Sequence, residues 1–160
     1  MNSKIVKALN EQINFEFESA YLYLAMSIGM KEAKYPGFGA WLDKQYQEEL
    51  EHAHKLIAFV EECDENVVLE NIAIPTGSYV DPLAVAKAVL AHEQHVTKRI
   101  HAIYAIAFEE KDFASHNFLS WFITEQVEEE ANARNIIDLF TFAGDSRATQ
   151  MLVDSKLGGR

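Results

Sequence analysis

Four helical stretches of this 160-residue chain each carry a carboxylate in the middle of an apolar stripe: Glu16, Glu49, Glu93 and Glu129. A buried glutamate costs several kcal/mol unless something pairs with it. Four of them pointing into one core repel each other, so an otherwise bare core is excluded. A multivalent cation at their centre removes the conflict, and His52, one turn after Glu49, supplies a nitrogen ligand. The pattern predicts a helical bundle built around a metal site.

The stripes keep helical spacing through the polar interruptions. They read Ile13, Glu16, Ala20, Tyr23 on the first stretch and Leu42, Gln45, Glu49, His52, Leu56 on the second. The third gives Val89, Glu93, Val96, Ile100, and the fourth Phe122, Gln126, Glu129, Ala133. Residues so spaced face one interior. Depth is an independent check: each glutamate lies within about three residues, roughly 5 Å, of its helix midpoint. Side chains at mid-helix meet at one level whichever way each helix runs. The alternative is that each glutamate reaches solvent or pairs with a lysine. No lysine stands beside them on the inner stripes, and the four agree in both face and depth.

Composition narrows the class. A net charge of −11 argues against a nucleic-acid surface and fits one that attracts cations. Three prolines and seven glycines leave long uninterrupted segments, which favours helices. The one cysteine, Cys63, excludes an intrachain disulfide and a thiolate zinc site. The first residues lack the apolar core of a signal peptide, and no apolar run approaches the roughly 20 residues of a membrane span. A cytoplasmic location, with no membrane or nucleic-acid partner, is the expectation.

Along the chain, the first helix is expected over about 4–32, through Ile5, Leu9, Ile13, Phe17, Ala20, Leu24 and Ile28. Tyr35-Pro36-Gly37 breaks it. A second helix follows over about 38–63, with Leu42, Leu56, Phe59 and Val60 inward. The connection over 64–81 is long for a compact domain. Extended, it reaches nearly 60 Å, at about 3.3 Å per residue. A helix of about 25 residues is only about 38 Å long. The connection can therefore return the chain to the opposite end of a bundle. Val67-Val68-Leu69 and Ile72-Ala73-Ile74 are expected to hold it against the surface. Asp81-Pro82 opens a third helix running to about 110, through Val85, Val89, Val96, Ile100, Ile103 and Ala107. A turn near Lys111-Asp112 leads to a fourth, about 114–143, with Leu119, Phe122, Ala133, Ile136 and Phe140 inward and Gly144 as its stop. A weaker piece over about 146–157, carrying Met151, Leu152 and Leu157, adds little to the core and serves assembly instead. A polar Gly-Gly-Arg tail closes the chain. The fold class is all-α: a four-helix bundle over about 4–143 with one long crossover and a short fifth helix. Residues 1–160 form a single domain.

The ligand set is rich in oxygen with one or two nitrogens, which suits iron or manganese better than zinc or copper(I). Carboxylates bridge pairs of cations, as in bundles with glutamate from two helices and Glu-x-x-His from the other two. Only one helix supplies that motif at its inner face, with Glu49-Leu50-Glu51-His52, because the fourth has Gln126-Val127-Glu128-Glu129. One metal position is then richer in ligands than the other, which suits a site that metal passes through. Tyr23 lies two turns from Glu16 on the same face, placed to hydrogen-bond a ligand, donate an electron, or simply fill the core.

These residues resemble the ferritin family, specifically its bacterial non-haem branch. The likeness rests on Asn10-Glu11-Gln12-Ile13-Asn14-Phe15-Glu16, Gln47-Glu48-Glu49-Leu50-Glu51-His52, His92-Glu93-Gln94, and Trp121 through Glu125-Gln126-Val127-Glu128-Glu129-Glu130. The resemblance implies one iron held by Glu16, Glu49 and His52. A second is held by Glu49 as a bridge with Glu93 and Glu129, with Gln126 nearby. A third is implied at Glu48, Glu125 and Glu128, with Glu129 shared. Leu50 stands where bacterioferritins place their haem methionine, which implies no haem. His116 and Leu119 stand where animal ferritins line a three-fold pore with acids, so that route for iron is not implied. The resemblance further implies a hollow shell of 24 chains, with the short last helix near its four-fold axes. Such a shell oxidises Fe2+ with O2 and stores a ferric mineral, which acids such as Glu51 help to seed. Two rival activities are a storage shell without fast oxidation and a di-iron peroxidase of the rubrerythrin type. The second needs an electron-delivery module, and this chain has no four-cysteine site.

Overall fold

The computed structural model describes residues 1–73 and 75–159. Five helices are present among the described residues: α1 Ser3–Glu32, α2 Pro36–Glu62, α3 Pro82–Glu109, α4 Phe113–Ala143 and α5 Arg147–Gly158. No β-strand occurs among the described residues. No helix of the described chain is long and apolar enough to cross a membrane.

The helices start where side-chain caps exist. Asn2 accepts from the Lys4 amide, Asp81 from Ala84 and Asp112 from Ser115, so each satisfies a backbone donor the first turn leaves unpaired. Pro36 opens α2 rather than ending the turn, a position where its missing N–H costs nothing. Three helices end in the same way. Lys34, Asp64 and Lys111 take positive φ angles of 70°, 58° and 56°. The next amide then reaches back across the last turn, from Tyr35 to Met30 O (2.8 Å), Glu65 to Val60 O (3.1 Å) and Asp112 to Ala107 O (3.0 Å). This is the glycine-type helix stop built from residues that carry a Cβ. Gly144 ends α4 with φ 57°.

α1 and α2 form one antiparallel hairpin, and α3 and α4 a second. The N-terminal end of α1 meets the C-terminal end of α3, where Asn2 donates to Glu110 (2.6 Å) and Lys4 pairs with the same carboxylate (2.8 Å). α3 therefore runs antiparallel to α1, which requires the long crossover. The apolar clusters expected to pin that crossover do so only in part: Val67 packs against the core cluster that holds Ile5 and Leu56. Val68 and Leu69 are 53% and 66% exposed, Ala73 is exposed, and Ile74 lies outside the described residues. Polar contacts hold the rest. Asn14 donates to Val68 O (2.8 Å) and accepts from the Glu70 amide (2.7 Å), while Asn10 donates to Asn66 O (3.0 Å) and accepts from the Val68 amide (2.6 Å). Two asparagines one turn apart on α1 thus pair with the strap as a neighbouring strand would. At the far end Tyr79 lies so close to α1 that a Cβ on Gly29 would stand 2.5 Å from its carbonyl oxygen. Asn10 and Gly29 are about 28 Å apart along the helix, so the strap runs most of its length.

The core is in two parts. One cluster gathers Met30, Phe38, Leu42, Val85, Ile136 and Phe140 at one end. The other gathers Ile5, Leu9, Leu56, Ile100, Leu119 and Phe122 at the opposite end. The expected inner residues of α3 and α4 are all buried. In α1 the reading fails toward the C-terminus, because Leu24 is only partly buried and Ile28 is 49% exposed. Successive four-residue steps advance 40° past a full turn, so that row leaves the interior. The true stripe continues through Tyr23, Met26 and Met30. Phe59 is half-buried and stacks on Phe118 at 3.9 Å between ring centres.

α5 departs most from expectation. Met151 and Leu152 are exposed, but Val153 and Leu157 join the core cluster that contains Phe38. Asp154 accepts from the amides of Gly37 (3.0 Å) and Phe38 (2.8 Å), placing an anion on the N-terminus of α2. A Cβ on Gly37 would stand 1.9 Å from the Asp154 carbonyl oxygen, so α5 can dock only over glycine. Tyr35 donates to Gln150 (2.5 Å), and the Arg147 guanidinium lies 4.3 Å from the Tyr35 ring centre.

The positive-φ stops give a direct expectation. Lys111 is exposed. Lys111→Gly should stabilise the metal-free protein by up to about 1 kcal/mol, read as a rise in melting temperature. An unchanged or lower melting temperature would show that no strain is stored there.

Candidate metal centre

Between the two apolar clusters lies a layer of polar side chains, one set from each long helix. α1 contributes Gln12, Glu16 and Tyr23, and α2 contributes Gln45, Glu49 and His52. Glu93 comes from α3, and Gln126 and Glu129 from α4. All are buried, with 6% the largest relative exposure. The i,i+3 spacing of Glu49 and His52 puts both on one face, with His52 Nδ1 3.6 Å from Glu49 Oε2. Glu16, Glu49 and His52 each offer a ligand atom, and these atoms lie within 4.8 Å of one another.

The hydrogen bonds follow a rule. Glu16 accepts from Gln12 (2.8 Å), Glu129 from Gln45 (2.7 Å), and Glu93 from Gln126 (3.0 Å) as well as from the Tyr23 hydroxyl. Three carboxylates thus each receive a glutamine amide. Glu16 Oε2 and Glu49 Oε2 are buried without a hydrogen-bond partner among the described residues. Two unpartnered carboxylate oxygens beside an imidazole are a donor set for a cation, and hard oxygen with one nitrogen fits iron.

Electrostatics point the same way. Burial drives the Glu16 carboxyl well above the usual range, and neighbouring Glu49 adds to it. Glu49 is raised by burial first and then by Glu93 and Glu129. Glu93 is raised by burial despite the donors Tyr23 and Gln126. Glu129 is pushed to about 7 by burial and the charge of Glu93. Burial next to Glu93 holds Tyr23 firmly protonated. Without a cation, the layer keeps protons; a divalent ion would displace them.

The flank is more open. Glu48 and Glu125 line a groove of about 300 Å³ with Glu51, His52 and Trp121. Glu128 is exposed and does not line it. Trp121 and Phe122 pack edge-on to His52 at 5.5 and 5.8 Å, and Lys55 stands 4.3 Å from the Trp121 ring centre. Leu119 is fully buried in the core and so cannot line a pore. His116 is half-buried against Tyr104, 4.1 Å between ring centres. Leu50 is partly buried.

The residues singled out from sequence as ligands, Glu16, Glu49, His52, Glu93 and Glu129, share this one layer. Gln12 was missed as a participant. It sits one turn before Glu16 on the same stripe, a polar break that the period itself marks. Arg99, whose Nε donates to Gln12 Oε1 (2.9 Å), gives no such signal, since a partly buried arginine on a helix flank is ordinary. Ser19 and His92, hydrogen-bonded at 2.8 Å behind Tyr23, were also missed; burial next to His95 lowers His92 to about 4 and keeps it neutral.

Fold and site together define an antiparallel helical bundle with a carboxylate–histidine layer across its middle. Comparison with known proteins gives that class a family. The family model for the ferritin-like domain matches residues 6–143. The bacterial non-heme ferritin of Bacteroides fragilis (strain 638R) is 40% identical over 161 residues, covering 100% of this chain and 99% of that protein. A bacterial non-heme ferritin of Campylobacter jejuni is 39% identical over 145 residues, covering 91% and 87%. A crystal structure of an open pore ferritin from the hyperthermophilic archaeon Archaeoglobus fulgidus superposes with a TM-score of 0.98 at 42% identity, covering 100% and 99%. The chain belongs to the ferritin family.

The raised carboxyls set a pH dependence. Glu129 titrates near 7 in the folded chain against 4.5 when unfolded. The folded state therefore binds the extra proton, and this stabilisation is complete below about 4.5 and lost as pH rises through about 7. The metal-free protein should melt lower at pH 8 than at pH 6, and Glu129→Gln should shrink that difference. An equal or larger difference in the variant would remove Glu129 from the account.

Proposed function

We propose that this chain stores iron and oxidises Fe2+ with O2 at the buried layer before depositing it as a ferric mineral within a shell of identical subunits. The observation that carries the reading is the pair of unpartnered buried oxygens, Glu16 Oε2 and Glu49 Oε2, next to His52. In this reading Glu16, Glu49 and His52 bind one Fe2+. Glu49 bridges to a second, held with Glu93 and Glu129, and Gln126 and Tyr23 support Glu93. Anionic oxygen donors favour Fe3+ over Fe2+ and so lower the barrier to electron loss. Two Fe2+ give one electron each to one O2, while the displaced carboxyl protons are available to the reduced oxygen. Glu48 and Glu125 in the flanking groove, with Glu128 nearby and Glu129 shared, form a third, weaker iron position. Leu50 offers no ligand at the haem position, so the protein takes no haem. Residues 1–160 act as one di-iron domain, and 24 copies form the shell.

Mixing metal-free protein with about two Fe2+ per chain and following O2 in the first second tests this. The expected uptake is about one O2 for every two Fe2+, and Glu49→Ala abolishes the fast phase. Oxidation no faster than in protein-free buffer would leave a passive storage shell. Rapid oxidation by peroxide but not by O2 would favour the di-iron peroxidase.

A further inference from the structure

Gln12 is absent from the ligand set, yet it is fully buried beside it. Its Nε2 donates to Glu16 Oε1 at 2.8 Å, and its Oε1 accepts from Arg99 Nε at 2.9 Å. An arginine can only donate, so it forces the carbonyl end of the amide toward itself and the NH2 end toward Glu16. Arg99 is itself fixed. Its Nη2 donates to the Glu11 backbone carbonyl (3.1 Å), and its guanidinium lies 4.2 Å from the centre of the Phe15 ring. The chain from α3 through Gln12 to Glu16 therefore has one polarity. It occupies Glu16 Oε1 and leaves Oε2 as the oxygen without a partner.

We propose that Arg99 and Gln12 are positioning residues that hold Glu16 as a single-oxygen ligand and so set the affinity and geometry of the first metal position. This rests on the reading that Glu16, Glu49 and His52 bind iron. Without the Gln12 donor, Glu16 Oε1 is free to swing onto the cation. The carboxylate is no longer held in place, so binding has to order it; closing onto the cation with both oxygens also raises the coordination number, and the arrangement that favours one bridging partner is lost. Removing an outer partner of a metal ligand costs about 10- to 100-fold in metal affinity or activity.

The test uses Co2+ as probe, titrated into the metal-free full chain and followed by calorimetry and visible absorption. Gln12→Met keeps the length and removes the donor. It should weaken the first equivalent of Co2+ at least about tenfold. It should also lower the intensity of the visible bands, because a higher coordination number makes them weaker. Arg99→Leu should give part of both changes, and Arg99→Lys, which keeps a cationic donor, should recover them. In the Gln12→Met background, Arg99→Leu should add nothing, since two residues acting through one bond are not additive. Wild-type affinity and spectrum in Gln12→Met would overturn the proposal. So would equal losses from Arg99→Leu in both backgrounds. Should Gln12→Met fail to fold by circular dichroism, the partly exposed Arg99 pair of variants decides by the same spectral criterion. Failure of the wild type to bind Co2+ at all would instead sink the iron-site reading, and this proposal with it.

Discussion

Carboxylates do not enter a helical core without compensation, and the whole architecture is arranged around that cost. The polar layer splits the interior, so apolar packing has to be supplied on both sides of it. That is why each of the four long helices extends well beyond the layer in both directions, and why Ile5 and Met30, at opposite ends of α1, belong to different clusters. The layer itself is held by donors rather than by cations of the protein. Glutamine amides supply direction without charge, so the carboxyls are oriented while a divalent ion that displaces their protons meets no fixed positive charge. A lysine at position 12 or 45 would set a fixed positive charge against the carboxylates and compete with a metal ion for them.

Among the four acids, the amides make a distinction that the residue type does not. Glu16 and Glu129 each have one oxygen engaged by a glutamine, and Glu93 has both engaged, one by Gln126 and the other by Tyr23. Such restraint suits terminal ligands, whereas Glu49, placed among the other three and His52, suits a bridge. The proposed roles thus follow from which oxygens are occupied, and the helical register decides that.

Periodicity made much of this legible from the chain alone. The inner residues of α3 and α4, the cap at Asp81, and the coincidence of four glutamates follow from spacing and local chemistry. The errors have physical causes. A row taken in four-residue steps drifts around the helix, which carried Leu24 and Ile28 away from the core. The sequence presents the crossover as an apolar strap because its valines and isoleucines are the obvious packing groups. Val67 does pack on the core, but Asn10 and Asn14 hold the segment around it, since an extended stretch beside a helix has backbone donors and acceptors that need partners. Arg99 was invisible because its role depends on α3 lying beside α1, which no local pattern encodes.

The docking of α5 has a mechanical meaning. With its Asp154 clamped on the start of α2, and Gly37 leaving no room for a side chain between them, the last helix is a rigid bracket rather than a hinged arm. The angle at which it presents Met151 and Leu152 is set inside each subunit before any neighbour arrives. In the proposed shell, curvature would then be dictated by the folded subunit. Contacts between copies would select among finished shapes instead of bending the chain into one.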